Sequence, residues 1–215
     1  CLRGAIRISR AIENTLCLGL ALVALGQVRL LQAQAAEGAE RARFLRRARA
    51  EVARALGFAH LYTEPRAAGR LVLAQVALLE GSLSTAWQEA TLAFEEARAS
   101  DLALLQGRAS RVRGAILAAQ EDFEQADQHF EQALQMCRSH HMELERARTL
   151  HLYAEALLLR CVGASGSAMA HYQRGLNYLQ EARVVYAQCH AALDSRQVEL
   201  ALRQAPSKRP FLGWF

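Results

Sequence analysis

Cys137, His140 and His141 form the densest set of metal-ligand side chains in the sequence. On a helix, Cys137 and His141 stand at i and i+4, close enough on one face to share an ion. A structural zinc site takes four such ligands, and no second Cys/His pair has matching spacing. The simpler reading of the His pair is a helix C-terminus, where the dipole favours it. Asp122, Glu124, Asp127 and Glu131 crowd one helix start. Acids there offset the positive N-terminal end, and paired-carboxylate catalysis would need a polar pocket around them. No phosphate loop, nucleophile elbow, HExxH pattern or CxxC pair occurs. The expectation is a chain without catalytic residues, metal or cofactor.

Two other groups have the chemistry to hold a partner. Arg41, Arg43, Arg46, Arg47, Arg49 and Arg54 lie close together on one helix and could grip nucleic acid or an acidic protein. They spread around that helix and no aromatics interleave with them, so a solvated face is favoured over nucleic-acid binding. Phe211, Trp214 and Phe215 are large apolar groups in a segment too short to build its own core. They read as a tail that folds back and caps the last helices, or docks elsewhere.

Charge is arranged in blocks. Residues 1–70 carry 12 arginines against 5 acids, residues 71–145 carry 5 against 12, and residues 146–215 carry 9 basic groups against 4. A basic–acidic–basic chain is not the uniform stripe of a nucleic-acid binder. The five cysteines are odd in number and widely spaced, which reads as free thiols in a reducing cytoplasm. The most apolar stretch, Leu16 to Leu25, is shorter than the ~20 residues that span a bilayer. It reads as a core helix, and no membrane partner is expected. The chain starts at Cys1, not Met, which reads as a segment of a longer protein or one that has lost a leader.

Ala, Leu, Arg, Glu and Gln dominate the 215 residues, with only three prolines. These are strong helix formers, and no period-2 run is long enough for a sheet. The expected class is all-α. Helices are read over 5–35, 39–56, 64–80, 84–99, 101–119, 123–139, 143–161 and 167–192, with a short one over 195–203. Gly38 ends the first, Gly57 caps the second, Pro65 opens the third, Ser84 caps the fourth, and Asp194 or Ser195 caps the last.

The helices repeat. Ala126, Phe130 and Ala133 share one face, and Gly114 stands twelve residues before them. Forty residues earlier, Ala86, Ala90, Ala93 and Ala74 occupy the same positions. Forty residues after Gly114 stands Ala154, followed, past an insertion read as about 16 residues, by Ala182, Tyr186 and Cys189. The small–aromatic–small pattern of Gly114, Ala126, Phe130 and Ala133 resembles the tetratricopeptide motif. The unit is about 40 residues long rather than ~34, and the helix-ending Pro is missing. Such longer units, over roughly 65–203, look like the sensor regions of large bacterial regulators of the MalT and LuxR type and of related signalling ATPases.

That resemblance implies antiparallel helix hairpins stacked as a right-handed α-solenoid. One repeat domain is expected over 1–205, with hairpins 5–56, 65–99, 101–139 and 143–193, a terminal helix 195–203 and a tail 206–215. The implied function is a non-catalytic, cytoplasmic protein-interaction scaffold, a segment of a larger bacterial regulatory protein. The alternatives are a partner- or ligand-sensing module of a transcription-regulating or signalling ATPase, and nucleic-acid binding through the Arg-rich helix. Groove-side polar residues, chosen by helix position, are Arg108, Arg111, Tyr153 and Glu155. The expected partner is a protein or peptide, and the oligomeric state is left open.

Overall fold

Each helix here ends where its chain can reverse, and the reversals set the architecture. A computed structural model describes residues 1–57, 62–161 and 168–205. These residues are all-helical, without strands. The helices are α1 (Leu2–Ala11), α2 (Thr15–Gln34), α3 (Gly38–Leu56), α4 (Thr63–Leu79), α5 (Leu83–Ala99), α6 (Ala103–Ala119), α7 (Phe123–Ser139), α8 (Glu143–Arg160), α9 (Ala168–Gln188) and α10 (Ala192–Gln204).

Four of the turns are evenly spaced along the chain. Gly81, Asp101, Glu121 and His141 have left-handed backbone (φ 76°, 53°, 64° and 54°). In each turn, the residue after the left-handed one donates its N–H to the carbonyl five back: Ser82 to Ala77, Leu102 to Ala97, Asp122 to Leu117, Met142 to Cys137, at 2.8–2.9 Å. The left-handed residue bonds to the carbonyl three back. This is the Schellman closure, which satisfies otherwise orphaned C-terminal carbonyls. The same geometry recurs at Glu13 and His190.

Packing falls into two units, Cys1–Val112 and the described residues from Arg113 onward, with the boundary inside α6. In the first unit, α2 packs on α1, α3 and α4, α3 on α4, and α4 on α5. α2 is 20 residues long with mean hydropathy 1.7, and among the described helices it alone is long and apolar enough to cross a membrane. That exceeds the shorter apolar stretch expected from sequence. Leu18, Leu22, Val23, Leu25 and Leu30 of this helix are buried.

In the second unit, α8 packs on α7 and α9, and α10 on α9 and α8. A Cβ placed on Gly114 would lie 3.0–3.1 Å from the Phe130 ring. Phe130 is fully buried and stacks on Tyr153 at 4.8 Å. The repeat-position residues Ala74, Ala86, Ala90, Ala93, Ala126, Ala133, Ala154 and Ala182 are also buried.

Several expected boundaries are corrected. The long first helix is broken: Glu13 turns left-handed (φ 54°), and Asn14 restarts the chain by accepting the Cys17 N–H at 2.9 Å. Gly38, at φ 53°, opens α3 instead of ending its predecessor. Gly57 does stand at the C-cap of α3, as expected, though with right-handed backbone (φ −59°). Ser82, not Ser84, precedes α5, and Ala191 precedes α10. A turn at Cys189–Ala191 separates α9 from α10.

The third repeat is also realigned. Gly175 of α9 meets α8, its added Cβ lying 3.2 Å from the Ala154 carbonyl. Aligning Gly175 with Phe130 leaves an insertion of about five residues, not the ~16 expected. In that register Leu179 and Ala182 match Leu134 and Cys137, all buried. Cys189 is exposed, so it is not the small buried partner expected. The tail with Phe211, Trp214 and Phe215 lies outside the described residues.

Two substitutions test this packing. A left-handed residue with a side chain costs ~1 kcal/mol more than Gly there, so Glu121→Gly is expected to stabilise by about that amount in urea unfolding. Gly114→Ala gains ~1 kcal/mol of helix propensity but forces the Phe130–Tyr153 stack. A net loss of about 1 kcal/mol is expected in the same assay.

Candidate partner-binding surface

A strip of polar side chains runs along α8. Glu145, Arg148, His151 and Glu155 fall on one face of α8, three or four residues apart. Arg108 and Arg111 of α6 stand one repeat before Arg148 and His151. The two groove positions chosen on α6 therefore recur in the polar strip on α8.

Arg148 anchors that strip. Its guanidinium grips Asp194 of α10 through two bonds, Nε to Oδ1 at 3.0 Å and a terminal NH to Oδ2 at 3.1 Å. A third bond of 3.0 Å reaches Glu145. The hydrogen bonds to Asp194 raise the Arg148 pKa despite burial, helped by the charges of Glu145 and Asp194. One turn on, His151 stands 3.5 Å from Glu155 and edge-on to Tyr186, ring centroids 6.1 Å apart. Arg146 pairs with Glu143 and with Glu181 of α9.

A second cluster surrounds the aromatic stack. Arg174 of α9 lies over Tyr153 (4.9 Å) and Tyr178 (5.2 Å), a cation–π arrangement. It donates to the Tyr178 hydroxyl at 3.0 Å and to Glu131 of α7 at 2.6 Å. Arg160 pairs with Asp127 and covers Phe123. Burial first, then the Asp127 carboxylate, pushes the Tyr153 phenol well above its ordinary range, while Arg174 pulls it back.

No family model matches the sequence, and no curated protein matches it. What the chain can do therefore rests on its own residues.

The chosen groove residues fare unevenly. Tyr153 is fully buried in the aromatic stack, so it holds helices together and is not a groove contact. Arg111 is 8% exposed, and the Glu155 side chain is turned largely inward beside His151. Arg108 is half-buried and keeps the most access of the four. In the Arg-rich helix, Arg41 donates to the Leu79 carbonyl at 3.2 Å, Arg49 pairs with Glu80, and Arg54 pairs with Glu51. Arg43, Arg46 and Arg47 stay exposed. Half of the basic patch is thus tied to the fold, which weakens its case as a nucleic-acid surface.

Cys137 is buried while His141 sits exposed in the left-handed turn, so the two do not share a face. Among the described residues, no three His, Cys, Asp or Glu side chains come together as metal ligands. Asp122 caps α7, accepting the Gln125 N–H at 3.2 Å.

The Arg148–Asp194 grip was missed because partners so far apart in the chain carry no local signal. Arg174 and Tyr178 at i and i+4 did carry one.

His129 of α7 sets a pH dependence. Burial, and then the Arg113 charge, lowers its pKa below the ordinary value. The unfolded chain then binds more protons in the window between that lowered value and ~6.5, so stability is full above the window and falls as pH drops through it. His129→Gln is expected to flatten this part of the stability–pH profile in urea titrations from about pH 7.5 to about pH 5. An unchanged slope would mean that other groups cause it.

Proposed function

We propose that this chain is a non-catalytic, partner-binding scaffold of tetratricopeptide-like hairpins, stacked as a right-handed α-solenoid. The observation that carries the reading is the even spacing of the closed turns at Gly81, Asp101, Glu121 and His141. Two such steps make one hairpin, so hairpins recur at the period of the buried alanines. Within each unit a first helix also touches the next first helix: α4 on α2, and α10 on α8. That is the contact by which hairpins stack into a continuous core. A row of first helices forms the inner face of such a stack and grips an extended or helical peptide. Arg108 on α6 in the first unit, and Glu145, Arg148 and Glu155 on α8 in the second, supply charged positions on such helices.

The larger protein to which such a module belongs is a bacterial regulator on the strength of the motif resemblance. Catalysis is disfavoured because the arginine and carboxylates of the strip are engaged with one another: Arg148 pairs with Glu145 and Asp194.

Affinity capture with the whole chain, followed by titration of the captured protein, tests the reading. Arg108→Glu is expected to weaken that partner ~10-fold, a loss of about 1.4 kcal/mol from a half-buried contact. An unchanged affinity, or capture of nucleic acid with steep salt dependence in place of protein, would overturn it.

A further inference from the structure

The arginines of α3 divide into those the fold holds and those it does not. Leu45, Ala48, Val52 and Ala55 make the buried stripe of this helix, which packs on both α2 and α4. At ~100° per residue, Arg41 and Arg49 lie beside that stripe. Both reach the end of α4, Arg41 at the Leu79 carbonyl and Arg49 at Glu80. Arg43, Arg46 and Arg47 stand on the opposite side, within an arc of ~100°. They are exposed, and among the described residues they have no hydrogen-bond or ion-pair partner. Arg54 lies on the same outward stripe two turns beyond Arg47, but Glu51 holds it.

Like charges three and four residues apart on a helix repel, and no ion pair of these three arginines offsets that repulsion. An anionic partner would. The planar fork of a guanidinium takes a carboxylate or phosphate by two parallel bonds, so three forks on one turn fit a run of anionic groups. Two glutamates decide which anion. Glu40 lies three residues before Arg43 and Glu51 four residues after Arg47, bordering the same edge of the stripe. Glu40 is exposed and, among the described residues, unpaired. A phosphate backbone or an anionic bilayer carries one sign throughout and would be repelled along that edge. A protein segment can set a basic residue opposite Glu40 and acids opposite the arginines.

We infer that the outward face of α3 docks an acidic segment of a partner protein, whose carboxylates meet Arg43, Arg46 and Arg47. The inference goes beyond the scaffold reading, since it names a different surface and stands whether or not the inner face binds anything. A second copy is a poor source of that segment. Of the acids on α5 and α7, all but Glu124 are held by the chain's own arginines: Glu89 and Glu96 by Arg70, Glu95 by Arg98, Asp127 by Arg160 and Glu131 by Arg174.

The probe is a fluorescent peptide of alternating glutamate and alanine with a lysine at each end. It is titrated into the whole chain by anisotropy at about 0.15 M salt, where screening confines the effect of a charge to its surroundings. Saturable binding is expected, and the triple variant Arg43→Glu, Arg46→Glu, Arg47→Glu is expected to weaken it at least ~10-fold. A second triple variant, Arg183→Glu, Arg196→Glu, Arg203→Glu, makes the same change in net charge at exposed positions on α9 and α10. It is expected to shift the affinity by less than ~2-fold. Circular dichroism checks that both variants remain folded. Absence of saturable binding, or equal weakening by the two variants, overturns the inference. So does duplex DNA or a phosphatidylserine vesicle that binds this face more tightly than the peptide, or a dimer that the α3 variant dissociates. Arg108→Glu is expected to leave peptide binding unchanged, so the two proposals fail separately.

Discussion

Helices α1, α4, α5, α6, α7 and α9 stop because a residue just past the end goes left-handed and the one after it bonds back five positions. Most of the architecture depends on that local closure. It ties off the carbonyls that a helix end leaves unpaired, and it reverses the chain within a few residues. With so short a connection the next helix must run antiparallel beside the last. Repeating the closure at Gly81, Asp101, Glu121 and His141 gives helices of nearly equal length, so side chains one repeat apart meet equivalent surroundings. Only one of these four positions is glycine. The others hold Asp, Glu and His in a conformation that disfavours side chains, so the packing on either side supplies the free energy that holds the turn.

Equal helices still need the right thickness at their contacts. Where the first helix carries Gly114, the second carries Phe130, and a methyl added at Gly114 would strike the ring. Where the first helix carries Ala74, the matching position of the second is Ala90, and both are fully buried. Size is exchanged across the contact, and so the helix spacing can be kept while the residues change. In the third hairpin the bulk moves again. Gly175 lies against Ala154, and the aromatic sits one helical turn on at Tyr178, still 5.4 Å from Tyr153.

This exchange explains which features were legible in the sequence. The helix class and the spacing of the turns at Gly81 and Glu121 were readable because alanines at buried contacts cannot vary much in size. Helices α7 and α5 end where the pattern placed their ends. The third hairpin was misread because an aromatic was sought at the same offset, and Tyr186 fitted a register the chain does not use. The break after Ile12 was missed because Glu13 takes the left-handed position without any glycine to announce it. Tyr153 was placed in a groove because helix position alone does not reveal that Phe130 and Tyr178 close over it.

The charge blocks gain their meaning only in three dimensions. Arg70 of the basic first segment is held by Glu89 and Glu96 of the acidic middle one, and Arg174 of the last segment by Glu131. Arg148 holds Asp194 of a helix far along the chain. Half-buried pairs of this kind contribute little net stability, because desolvation offsets most of the attraction. Their directional bonds do something else. The grip of Arg148 on both oxygens of Asp194 fits one axial position of α10 along α8. A slide of one residue, about 1.5 Å, would break both bonds and strand the Glu145–Arg148 pair. Apolar alanine faces are smooth and tolerate such slides. The ion pairs therefore set the register that the alanines leave undecided, and the sequence shows them as charge blocks because most of these pairs join one segment to the next.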